Sequence, residues 1–77
     1  MGLEARGLAV SPEYFGANLR KVLRSLDMTQ TELAERSGLT QAAISQILDG
    51  KREPSLQTIC KILEVIPTNF EWLVRKP

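Results

Sequence analysis

Apolar side chains recur along the chain with a helical period, separated by short polar stretches. Phe15, Leu19, Val22, Leu23 and Leu26 form one stripe, long enough for a first helix of about four turns. Leu33 and Ala34 give the inner side of a short second helix, and Ile44, Ile47 and Leu48 that of a third. Leu56, Ile59, Cys60 and Leu63 fall at i, i+3, i+4 and i+7 on a fourth, while Phe70, Trp72, Leu73 and Val74 crowd a fifth. No window alternates apolar and polar residues for long enough to predict a strand, so the pattern predicts an all-α, compact five-helix bundle.

The ends of these helices carry their own signals. A Ser or Thr able to accept from the free amide N–H groups of a first turn precedes each periodic run. Ser11 stands before Pro12, whose missing N–H is harmless at the first helical position. Thr29-Gln30-Thr31-Glu32 and Thr68-Asn69-Phe70-Glu71 both fit the reciprocal capping box, and Thr40 and Ser55 open the other two helices. Gly38 and Gly50 suit the left-handed conformation that stops a helix, and Pro67 blocks continuation after Ile66.

Composition narrows what such a bundle can be. A chain of 77 residues, 43% of them apolar, supports one modest core and a single domain. Residues 11–77 are read as that domain, and residues 1–10 as a flexible arm or a cloning remnant, since they lack the basic start and long apolar region of a signal peptide. No apolar run approaches the roughly 20 residues needed to cross a bilayer. A lone cysteine excludes an intramolecular disulfide and points to a reducing cytoplasm. Its helical spacing among apolar neighbours suits a small buried residue. With one Cys and no His the usual zinc ligand sets are missing, and no metal or cofactor is expected. Carboxylates are scattered over separate helices with no His to partner them, so no nucleophile, base and anion stabiliser can be assembled and no enzyme is expected. The net charge of +1 argues neither for nor against a nucleic-acid partner.

The third helix carries the strongest chemical signal. Its inner side is apolar, but its outer side presents Gln41, Ala42, Ser45 and Gln46, with no charge until Asp49. An ordinary solvated helix face would carry Glu, Lys or Arg. A surface meant to enter a DNA groove needs side chains that hydrogen-bond without bringing negative charge against phosphates, and small residues that let the helix sit deep. Gln41 and Gln46 meet the first need, Ala42 and Ala43 the second. The second and third helices, joined by a tight break at Ser37-Gly38-Leu39, have the helix-turn-helix arrangement, in which the first helix lies across the phosphate backbone and the second enters the major groove. Ala34 is small where the two helices must approach, and Leu33, Leu39, Ile44 and Ile47 lock them together.

On these residues the chain resembles the phage repressor and Cro-like helix-turn-helix proteins, also called the XRE family. The resemblance runs through Met28 to Gln41, then Ile44 to Arg52, then Pro54-Ser55-Leu56, within a match spanning about residues 13 to 74. It implies a lambda-repressor-like DNA-binding fold and a transcriptional regulator or phage-type repressor acting on double-stranded DNA. By the same resemblance Gln41, Ala42, Ser45 and Gln46 would face base edges, while Gln30, Thr40 and Ala43 would lie at the backbone. Lys51 and Arg52 would neutralise phosphates. Arg20, Lys21 and Arg24 are read as the polar face of the first helix and left outside the site. Relatives usually bind two half-sites as dimers, and Phe70, Trp72 and Val74 of the fifth helix are the candidate subunit contacts. An antitoxin or protein-interaction adaptor built on the same fold is the alternative, although the chain offers only its first ten residues and a short tail to hold another protein.

One departure from the family is informative. Many relatives carry an Arg late in the first helix paired with a Glu near the end of the recognition helix, and here those positions are Leu23 and Leu48. Replacing a buried ion pair by packed apolar residues is often neutral or stabilising, so Leu23 is expected to touch Leu48.

Overall fold

The computed structural model describes residues 10–77. Five helices occur among the described residues, in the order α1 (Pro12–Leu26), α2 (Gln30–Ser37), α3 (Gln41–Leu48), α4 (Leu56–Leu63) and α5 (Phe70–Val74). The arm expected over residues 1–10 lies outside the described residues except for Val10, which packs against the core.

Four starts follow the expected chemistry. The hydroxyls of Ser11, Thr40 and Ser55 accept from the backbone N–H three residues on, at 3.0–3.2 Å. At α2 the box closes: Thr29 Oγ1 accepts from the Glu32 N–H, and Glu32 Oε1 accepts from the Thr29 N–H, each at 3.0 Å. The Thr29 backbone N–H, with its hydroxyl, holds the Glu32 carboxyl below the usual carboxylate range. The box expected at Thr68 does not form. Asn69 caps α5 instead, its Oδ1 accepting from the Trp72 N–H at 2.8 Å, which moves the start by one residue and takes Glu71 out of the reciprocal position.

Stops are less uniform. Gly38 and Gly50 adopt φ +76° and +72°, as turn geometry requires of them. Asp27 takes the same left-handed conformation at the end of α1, φ 54°, in a position no glycine marks. The fourth helix ends at Leu63, and a turned segment carries the chain from Glu64 to Ile66 before Pro67 is reached.

The core gathers Phe15, Leu19, Val22 and Leu23 from α1, Leu33 and Ala34 from α2, Ile44, Ile47 and Leu48 from α3, Ile59 and Ile62 from α4, and then Ile66 and Leu73. Each fully covered large side chain contributes on the order of 1.5–3 kcal/mol. Three expected core positions lie outside it. Leu26, at the last position of α1, is exposed, and so are Leu56 and Cys60. Two apolar stripes overlap on α4, and the one that turns inward is Ile59, Ile62 and, past the helix end, Ile66, which rotates Leu56 and Cys60 outward.

The long helix α1 packs against both α3 and α5. Toward α3 the contact is between backbones: a Cβ added at Gly16 would lie 2.5 Å from the Ile47 carbonyl oxygen and 2.7 Å from that of Leu48. Leu23 and Leu48, each 5% exposed, both turn into this seam and wall one cleft. Toward α5 the buried Asn18 donates through Nδ2 to the carbonyls of Leu73 and Arg75, both at 2.8 Å. Those bonds satisfy acceptors at a helix end that the helix itself cannot.

Gly16→Ala is expected to destabilise the fold by about 1–3 kcal/mol, because the methyl group meets backbone oxygens rather than a movable side chain. Urea denaturation measures this, and a loss below about 0.5 kcal/mol would contradict it. For Glu32, a carboxyl shifted downward on folding stabilises above its unfolded pKa, and that contribution disappears as pH falls through the folded value. NMR titration should give Glu32 a midpoint below that of an unstructured glutamate, and Thr29→Ala should return it toward that value.

Candidate nucleic-acid interface

The turn between α2 and α3 is set by Gly38, whose N–H and that of Leu39 both donate to the Ala34 carbonyl at 3.0 and 3.1 Å. Leu39 packs on the core from the turn, and Thr40 then opens α3. Because Ile44, Ile47 and Leu48 are buried, the opposite face of α3 must point outward. Gln41, Ala42 and Gln46 are exposed, and Ala43 and Ser45 are half-buried beside them. The recognition candidates therefore form one surface, carried by a helix without a charged residue.

The remaining candidates border this surface in chain order. Lys51 and Arg52 are exposed just beyond α3, where the Lys51 N–H donates to the Gln46 carbonyl at 3.0 Å. Thr40 uses a hydroxyl lone pair to cap Ala43, but its own O–H remains free to donate. Gln30, half-buried at the first position of α2, lines a cleft of about 210 Å³ with Arg20, Leu23, Arg24, Met28 and Leu48. Of the three subunit-contact candidates, Phe70 is exposed. Trp72 and Val74 are half-buried against the core, and the Arg75 guanidinium lies 4.8 Å from the Trp72 ring centroid.

Arg20 and Arg24, expected on the polar face of α1 and outside the site, lie along the edge of this surface. Arg20 donates through Nε to the Leu48 carbonyl at 3.2 Å and pairs with Asp49 at 2.5 Å. An arginine thus joins α1 to the end of α3 after all, one turn before Leu23 and one residue beyond Leu48. The pair is about half exposed, so its contribution to stability is small, on the order of 0–1 kcal/mol. Its local effect is larger: it offsets the Asp49 carboxylate beside the outer face of α3 and places positive charge at the negative end of the α3 dipole. Arg24, one turn on, opens into the same cleft as Gln30. The signal was spacing: Arg20, Leu23 and Arg24 fall at i, i+3 and i+4, so an inward Leu23 puts both arginines on the edge of its seam.

A five-helix bundle with a helix-turn-helix and an uncharged outer face on the second helix of that motif defines a class of proteins, and comparison with known proteins agrees on the class. The model of the Helix-turn-helix family matches residues 19–73. The HTH-type transcriptional repressor RghR of Bacillus subtilis is 38% identical over 65 residues, covering 83% of this chain and 48% of RghR. The HTH-type transcriptional regulator for conjugative element R391 of Providencia rettgeri is 42% identical over 55 residues, 71% of this chain and 25% of that protein. In three dimensions the chain is similar to the restriction-modification controller protein C.AhdI from Aeromonas hydrophila, with TM-score 0.75 and 27% identity over 80% of this chain and 94% of that one. The chain belongs to the helix-turn-helix family, in its XRE-type branch. It spans about a quarter to a half of the length of the curated relatives it matches.

Arg24→Ala is expected to weaken binding to any duplex alike and to flatten the dependence of log affinity on log salt by about 0.9, the loss of one phosphate contact. Titrations at several salt concentrations read the slope, and an unchanged slope would remove Arg24 from the interface.

Proposed function

We propose that this chain is the sequence-specific reading head of a double-stranded DNA-binding transcriptional regulator, inserting α3 into the major groove. The observation that carries this reading is the uncharged outer face of α3. Gln41, Ala42, Ser45 and Gln46 meet base edges, while Gln30, Thr40, Ala43, Lys51 and Arg52 hold the sugar-phosphate backbone. A Gln carboxamide pairs bidentately with adenine N6 and N7, and an alanine methyl rests against a thymine methyl, so each half-site contains A·T pairs. Regulation follows from occupancy of an operator, with no catalytic step, and the setting is the cytoplasm.

So small a reading surface makes few base contacts, and a second copy of the chain supplies the rest on a neighbouring half-site about 34 Å away. Support for the second copy comes from the α4–α5 side of the molecule. Leu56 is 74% exposed and Phe70 41%, and both line one groove with Val10, Pro54 and Ile59. Large apolar side chains gathered on one exposed face suit a protein contact.

Selection from a randomised duplex pool tests both parts. The expected product is a two-fold symmetric site with A·T pairs in each half, and Gln41→Ala should relax preference at one position at a loss of about 1–3 kcal/mol. Half-sites made only of G·C pairs would refute the assignment of α3, and an asymmetric single half-site would refute the second copy.

A further inference from the structure

Thr31 and Gln41 stand ten residues apart, on either side of the helix-turn-helix break, and their side chains meet. Thr31 Oγ1 donates to Gln41 Oε1 at 3.3 Å. Both side chains are exposed, so burial does not force the contact. Nor does α2 require the Thr31 hydroxyl, since Thr29 and Glu32 already close its first turn. The hydroxyl is therefore available for one task, and the only side-chain partner it has among the described residues is the first residue of α3.

A carboxamide is a donor and an acceptor on one planar group, and a half-turn about its last bond exchanges them. A free glutamine samples several side-chain rotamers. A neighbouring hydroxyl, which can donate to its oxygen or accept from its NH₂, holds the side chain in one rotamer and still leaves a donor and an acceptor open. Adenine N6 and N7 require one acceptor and one donor at fixed places. We propose that Thr31 is a specificity-determining positioning residue: without touching a base, it holds the Gln41 side chain in the rotamer from which its carboxamide reads adenine. This rests on the assignment of α3 to the major groove.

The test compares wild type with Thr31→Val, which keeps the shape and removes the hydroxyl, and with Thr31→Ser, which keeps the hydroxyl. Each binds a selected operator, the same duplex with the A·T pair read by Gln41 replaced by G·C, and a scrambled duplex. Loss of a net hydrogen bond predicts that Thr31→Val lowers the operator-to-replacement ratio by about 3- to 10-fold. Affinity for the scrambled duplex should stay unchanged, and Thr31→Ser should restore the ratio. In a Gln41→Ala background, Thr31→Val should leave affinity for every duplex unchanged, whereas a structural or phosphate-binding role would still weaken binding to all of them. If wild type itself does not discriminate among the duplexes, the reading of α3 fails. If wild type discriminates and Thr31→Val retains the full ratio, or weakens all three duplexes alike, the role of Thr31 is overturned and the reading of α3 stands.

Discussion

Where α1 crosses the last turn of α3, Gly16 lets the two backbones meet, and the carbonyls of Ile47 and Leu48 fill the space where any other residue would place its Cβ. That approach fixes the depth and pitch of α3. Around it lie the apolar pair Leu23 and Leu48 and the Arg20 bonds to Leu48 and Asp49. A short helix of eight residues is barely stable alone, so its orientation has to come from this seam and from the turn at Gly38. The same α1 holds α5 through the two bonds of Asn18. One long helix is thus the common reference for the reading surface and for the side that carries Phe70.

Much of this was legible in the chain, because the strongest signals are local. Caps at Ser11, Thr29, Thr40 and Ser55 each depend on a residue and an N–H three positions later, and they form as expected. The neutral side of α3 was equally readable at Ala42 and Gln46, which the burial of Ile44, Ile47 and Leu48 leaves outside, while Gln41 is exposed because it opens the helix. The misread positions are those where two local solutions compete. Thr68 and Asn69 are both good caps, and the one that places Leu73 in the core prevails. On α4 two stripes share Ile59, and only the packing partner decides between Cys60 and Ile62.

Other features leave no local trace. Asn18 looks like a polar-face residue of α1, yet it is 1% exposed, and its partners lie 55 and 57 residues away. Gly16 looks like a weak point in a helix until the α3 carbonyls are placed above it. Asp27 bears a left-handed backbone without the glycine that would announce it. Each is a long-range requirement written into one residue, which is why periodicity and caps pass over it.

The division of α3 into an anchored half and an outward half has an evolutionary consequence. Ala42 and Gln46 touch solvent rather than core, so exchanging them leaves every buried atom in place. Under the proposed reading of α3, change at such positions is constrained by the DNA target and hardly at all by folding. On the proposed role of α3, a change of DNA target then calls for exchanges on this one strip and for none in the scaffold beneath it.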